Sequence, residues 1–502
     1  MHGRSLPLSA PLIGRAWPLL ALPWLVAAQS PDQAPVLPLI PPSAQTAPAP
    51  VPVAPRPMPA LSAHQADQLR HMLDDAAADG MAPADADSAA PTGSDDAALV
   101  RAALDYARAL RRGRLAPGDF LGNWGLRPAA YDPYGDFVAA VKADRLADWV
   151  QGLAPPYAGY DTLRHALARY RGIAADGGWP VIASADGLRP GSENAQIKLL
   201  RTRLAIEDKA LDGGGSRYDE DVVAAVQRAQ RRYGLEPTGQ IGPATLAALN
   251  VSARDRVRQI EANMERWRWL PRTLPTRRVQ VNIAAAVLTL FEADAPVLSM
   301  RAVTGRPGDE TPMLASSIHS IVFNPPWNVP SSIAAKELWP KEKAHPGYLK
   351  AHDFRVIDTG NGGTRLQQRA GSKSALGRVK FDFENPYGVY LHDTPSQGTF
   401  GRYSRLASHG CVRLAQPVAL AKRALEGDAQ WTPDAIDAAL AKGDTVRAPL
   451  AQPVAVFLLY WTAYAGADGR VTFLGDPYGW DGELANRLKS SATRAKQAAT
   501  LQ

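Results

Sequence analysis

A chain of 502 residues that holds a single cysteine, Cys411, cannot build a disulfide of its own. Nor does it contain an apolar run of about 20 residues, the length a helix needs to cross a bilayer. Its 56 Lys and Arg against 49 Asp and Glu give a net charge of +7, which favours an acidic partner. The basic residues are dispersed, and no basic stripe interleaved with aromatics is present, so nucleic acid is not expected as a partner. Charge is nearly missing from residues 31–60, where Pro and Ala dominate; such a segment stays extended and builds no core. Length is what the chain has in plenty: enough for two or three domains, each with its own core.

The N-terminus carries Arg4 and Arg15, then the apolar run Trp17 to Ala28 ("WPLLALPWLVAA"), with Val26 and Ala28 as small residues ahead of Gln29. Twelve residues broken by Pro18 and Pro23 are too few to span a membrane, and the pattern predicts a signal peptide over 1–28 that directs export. A linker over 29–60 follows. Membrane contact is expected only if the signal is retained as an anchor. Export sharpens the question of Cys411, because thiols in oxidising compartments pair and this one has no partner in its chain.

Helical spacing then takes over. Leu99, Ala102, Ala103, Tyr106 and Leu110 recur on one face, as do Leu163, Leu167 and Tyr170, predicting a helical scaffold over 61–190 with an irregular break near "ADADSAAPTGSDD". Residues 191–250 read as three short helices: Ile197, Leu200 and Leu204 on the first, Val222, Val226, Ala229 and Tyr233 on the second, and Gly242-Pro243 opening the third. Residues 251–275 read as a basic helix, Arg254 to Pro271, that returns to the scaffold with Val257, Ile260, Met264 and Trp267 on one face. The Trp267-Arg268-Trp269 cluster is expected in core. From 276 to 485 the period changes to 2, as in "RVKFDF", and predicts a mostly β domain. Asn385-Pro386-Tyr387-Gly388 is the turn of a hairpin whose second strand ends at His392. A second hairpin, "VAVFLLYWTAYAGADGRVTFL", turns at Asp468-Gly469 and completes the sheet. Residues 486–502 read as a flexible tail.

A thiol is mostly protonated at neutral pH, so a nucleophilic cysteine needs a nearby base or a positive field. His409 and His392 are the candidates, and spacing alone does not choose between them. Gly410 permits a backbone in which successive N–H groups converge on an oxyanion. Leu414, Val418, Ala421 and Leu425 read as one face of a following helix with Gln416-Pro417 in its first turn, whose dipole would favour a thiolate at Cys411. Arg413 adds a fixed charge able to grip a substrate carboxylate. Cys411, His392 and His409 are three potential zinc ligands, but no supporting ligand spacing accompanies them, so no metal and no cofactor is expected.

Two resemblances extend this reading. Ala225-Val226, Gln230, Gly239, Ile241-Gly242-Pro243, Thr245 and Ala248-Leu249-Asn250 match the pattern of peptidoglycan-binding domains. The segment "YLHDTPSQGTFGRYSRLASHGCVRL" closely resembles the active-site signature of L,D-transpeptidases, and "VTGRPGDETPML" and "NPPWNVPSSI" extend the likeness over most of 276–480. The resemblance implies a multidomain α+β protein of the large periplasmic branch, with a mostly β catalytic domain and a capping insertion over 331–376. It implies Cys411 as nucleophile, His392 as general base, the backbone carbonyl of Asp393 orienting the imidazole, and backbone N–H groups of His409, Gly410 and Cys411 as the oxyanion hole. Ser408 and Arg413 would support the site. The Asp393 carboxylate receives no catalytic role, since strand alternation turns it away from His392. The family's Pro-Gly-x-x-Asn-Ala-Leu-Gly stands here as Ala370-Gly371-Ser372-Lys373-Ser374-Ala375-Leu376-Gly377. The implied activity joins peptidoglycan stem peptides by 3→3 cross-links, with stem peptides, glycan and cell-wall synthesis proteins as partners. An L,D-carboxypeptidase and a wall-binding scaffold with an inert Cys411 stay open as alternatives.

Overall fold

Nine strands position the chemistry. The computed structural model describes residues 56–81, 95–360, 362–466 and 469–500; the expected signal peptide, nearly all of the linker, most of the irregular break near residue 90, and Asp468 lie outside them. The main sheet runs in the order Leu406–Ser408, Ala295–Gly305, Val412–Leu414, Leu391–His392, Val379–Phe383, Leu314–Phe323, Val446–Leu459, Arg277–Asn282, Val287–Glu292. Its last strand also pairs with Ala295–Gly305, so the sheet closes on itself and leaves few free edges. Val279, Val281, Ile321, Phe381, Leu391, Val412 and Val456 are buried in it. The apolar stretch after Val279 is a hairpin rather than one strand: Arg277–Asn282 and Val287–Glu292 pair antiparallel, and Ala286 turns between them at φ 50.

The scaffold helices include Ala63–Asp74, Asp96–Arg112 and Ala158–Ala175. Leu99, Ala103, Tyr106, Leu163, Leu167 and Tyr170 are buried as their spacing requires. The three module helices are Ala195–Glu207, Glu220–Arg232 and Pro243–Asn250, with Gly242 capping the last and Pro243 in its first turn. These helices and the sheet belong to one compact unit, Met58–Gln502.

Three expectations need correction. The helix Ala253–Trp267 stops short of Pro271; of its basic residues Arg256 and Arg266 are buried, as is Arg268 at its cap. Arg268 pairs with buried Glu265 at 2.9 Å, and Arg266 pairs with Asp481 at 2.5 Å. Trp267 stacks on Trp461 at 4.5 Å and Trp269 is buried, as expected of core. The second hairpin does not complete the sheet. Its long strand ends at Leu459, and Ala463–Ala465 pairs with Val471–Phe473 as a separate ribbon. The C-terminal residues continue a helix, Trp480–Thr500, rather than a frayed tail from 486: Leu484 is buried, and the Arg487 guanidinium donates to the Asp119 carbonyl at 2.8 Å.

Between Asn328 and Gly377 a cap carries its own small core of Val329, Ala334, Leu338, Leu349 and Leu366. Short helices over 331–351 are followed by strands Phe354–Asp358 and Thr364–Gln368, which pair with each other, and Thr364–Gln368 also pairs with Trp327–Asn328. The Gln368 amide braces the Ala370–Gly377 segment, accepting from the Ala375 N–H at 2.8 Å and donating to the Lys373 carbonyl at 3.0 Å.

Candidate active site

Register brings the signature residues together. Val412–Leu414 pairs parallel with Leu391–His392, matching Val412 to Leu391 and Arg413 to His392; Val379–Phe383 pairs antiparallel, matching Lys380 to His392. Side chains alternate along a strand, so Leu391, Phe381 and Val412 enter the core while His392, Arg413 and Lys380 share the opposite face. Cys411, two residues before Arg413, belongs to that face, beside Tyr390. The Val412 N–H donates to the Tyr390 carbonyl at 3.1 Å, which fixes this alignment.

His392 is only 4% exposed. Its Nδ1 bonds the backbone carbonyl of Asp393. A carbonyl only accepts, so Nδ1 carries the hydrogen and Nε2 keeps a lone pair for a proton. Burial pushes the imidazole down to about 3; the Arg413 charge is the next cause and Lys380 adds to it, against the Asp393 and Leu376 carbonyls. Burial also pushes the Cys411 thiol up, opposed by the backbone N–H and hydroxyl of Tyr390 and then by Lys380 and Arg413. The resting pair is therefore neutral thiol and neutral imidazole. The Asp393 carboxylate turns away, accepting from the N–H groups of Arg378 and Thr394 at 2.8 and 2.7 Å.

The loop before the thiol is tightly framed. Gly410 sits at φ +105, a conformation side chains rarely adopt. The Ser408 hydroxyl accepts from the Gly410 N–H at 3.2 Å and donates to the Cys411 carbonyl at 2.5 Å. This revises the expected oxyanion hole: the Gly410 N–H is engaged inward, whereas among the described residues the N–H groups of His409 and Cys411 have no protein acceptor. The helix-dipole expectation also falls. Cys411 leads into the strand Val412–Leu414, and the helix Pro417–Ala424 starts three residues after Leu414, which itself lies in the strand. Tyr390, Lys380 and Arg413 supply the favourable field instead.

The His409 imidazole, which sequence left without a role, bonds Glu337 of the cap at 2.6 Å. Arg306 approaches the same carboxylate at 3.9 Å and pairs with Asp309 at 2.7 Å. Among the described residues the buried Arg413 Nε has no hydrogen-bond partner. Among the described residues no cluster of three His, Cys, Asp or Glu suits a metal. Sequence reasoning passed over Tyr390, Lys380 and Glu337; the alternation in "VKFDF" marked Lys380 as outward but not that the outward face is the candidate site.

Residues 276–438 match the model of the YkuD family, described as the L,D-transpeptidase catalytic domain. The chain carries an L,D-transpeptidase catalytic domain. Residues 193–249 match a model described as "Putative peptidoglycan binding domain", and 59–167 one described as "Scaffold domain". A curated Haemophilus influenzae protein named "Putative L,D-transpeptidase" is 34% identical over 222 residues, 41% of this chain and 44% of that protein. The match thus spans less than half the length of that relative. Among solved structures, an L,D-transpeptidase from Stackebrandtia nassauensis is 15% identical, covering 56% of this chain and 96% of that one at a TM-score of 0.23. Another from Xylanimonas cellulosilytica is 18% identical, covering 54% and 96% at a TM-score of 0.19. Overlaps of that size add nothing to the assignment of the L,D-transpeptidase domain. No helix among the described residues is long and apolar enough to cross a membrane.

Proposed function

We propose that this protein is an exported peptidoglycan L,D-transpeptidase that forms 3→3 cross-links through a thioester on Cys411. The observation that supports it most is one sheet face shared by a thiol, a buried neutral imidazole with its free nitrogen fixed as an acceptor, and an arginine with an unpartnered donor. The Cys411 sulfur attacks the carbonyl of the third residue of a donor tetrapeptide as its proton passes to His392 Nε2. The N–H groups of His409 and Cys411 receive the oxyanion. The bond to the terminal D-alanine breaks, and that amine leaves with the proton from His392. A side-chain amine of a second stem then attacks the thioester, gives a proton to His392, and the thiol is released with that proton. Arg413 binds a carboxylate of the stem.

Incubating the purified protein with disaccharide-tetrapeptides and weighing the products tests the reading. Cross-linked dimers are expected; tripeptides alone would make the enzyme an L,D-carboxypeptidase, and unchanged substrate would leave a wall-binding scaffold.

A further inference from the structure

The loop Gly305–Met313 is bonded to the nucleophile loop through the Thr311 side chain and the Arg306 backbone. Thr311 is fully buried. Its hydroxyl donates to the Gly410 carbonyl at 2.8 Å and accepts from the Gly305 N–H at 2.8 Å. The Thr311 N–H donates to the Tyr478 hydroxyl at 3.3 Å, and that hydroxyl donates to the Gly305 carbonyl at 2.6 Å. The Arg306 N–H donates to the Ser408 carbonyl at 3.0 Å. The turn itself tolerates only glycine at its start: a Cβ on Gly305 would meet the Asp309 carbonyl oxygen at 2.1 Å. Thr311 is therefore held by Gly305 and Tyr478 while it holds Gly410.

In a trans peptide the C=O and the following N–H point in opposite directions. Thr311 draws the Gly410 carbonyl toward the loop, which directs the Cys411 N–H the other way, with no protein acceptor among the described residues. We propose that Thr311 is a positioning residue whose hydroxyl sets the Gly410–Cys411 peptide plane and thereby aims the Cys411 N–H at the oxyanion. This rests on Cys411 being the acyl-accepting nucleophile. The hydroxyl takes no part in proton transfer.

Two reactions at the same sulfur separate aim from general disorder. Acylation by imipenem forms an oxyanion; alkylation by iodoacetamide displaces iodide and forms none. Thr311→Val keeps the branched shape and removes the hydroxyl. It should slow imipenem acylation of Cys411 about 100-fold, the scale of a misplaced or lost oxyanion donor, while alkylation stays within about threefold by the same account of which step needs the donor. Thr311→Ser should keep acylation within about threefold of the parent, because the positioned hydroxyl is retained. Thr311→Ala should repeat the valine pattern and is read in its place if the valine protein does not fold. Equal slowing of both reactions, unchanged acylation in Thr311→Val, or serine as slow as valine overturns the proposal. A parent protein that alkylates at Cys411 but is never acylated there overturns the nucleophile reading instead.

Discussion

Two loops of this molecule are built in the same way and end differently. In the module, Gly239 turns at φ +74; its N–H donates to the Gln230 side chain at 2.8 Å, and its carbonyl accepts from the Tyr218 hydroxyl at 2.8 Å. In the catalytic domain, Gly410 turns at φ +105 with its N–H on Ser408 and its carbonyl on Thr311. Around Gly239 the signature residues satisfy one another: Gln230 also donates to the Gln240 carbonyl at 2.8 Å and to Thr245 at 3.0 Å, and Asn250 exchanges two bonds with the backbone of Ile182. Around Gly410 the same clamping leaves the next residue's N–H with no protein acceptor among the described residues. A signature can therefore mark a turn that only folds or one that folds in order to leave something unpaired.

The comparison can be broken most sharply at the thiol. Cys411→Ala should lower imipenem acylation, followed by intact mass, by about 10⁴-fold or more, since no second nucleophile replaces it. Its thermal midpoint should barely move, because the side chain is small and only partly buried.

His392→Gln should slow acylation by about 10²- to 10⁴-fold, the usual worth of a positioned base. It also carries a stability signature. The folded imidazole titrates at about 3 and the unfolded one at about 6.5. Between those values only the unfolded chain takes up the proton, so stability falls as pH drops from 6.5 towards 3, by up to about 1.4 kcal/mol per pH unit. Denaturant unfolding across that window should show the slope in the parent and a shallower one in His392→Gln.

On the other loop, Gln230→Ala should cost about 2–4 kcal/mol in urea unfolding, because it strands the Gly239 N–H and other buried polar groups. Acylation at Cys411 per folded molecule should stay within about twofold, the expectation for a residue whose hydrogen-bond partners all lie in its own module. A Gln230 variant that folds normally would erase the contrast between the two loops.

Local pattern carried the sequence reading a long way. Helical spacing at Leu99 to Leu110, the Gly242-Pro243 helix start and the alternation around Phe381 depend on neighbours in the chain, and the structure follows them. The signature also sets His392 nineteen positions before Cys411, and the register lays the strand ending at His392 beside the one that follows Cys411. What was hidden depends on distant partners. The Arg266 charge is buried because Asp481 meets it from 215 residues away, and Glu207 sits at about 2, held down against burial by Arg203 and Arg232. Helical periodicity reads an arginine as solvated and has no access to such a partner. Thr311 was hidden for the same reason: its hydroxyl acts on Gly410, 99 positions on.

The central claim is that Cys411 carries the stem peptide as a thioester, and trapping that intermediate tests it most directly. The protein should be mixed with a disaccharide-tetrapeptide, quenched in acid within one turnover, digested and mapped by mass. The account predicts a hydroxylamine-labile adduct of the donor minus its terminal D-alanine on the peptide containing Cys411. Donor turnover with no such adduct, or turnover that persists in Cys411→Ala, would contradict it.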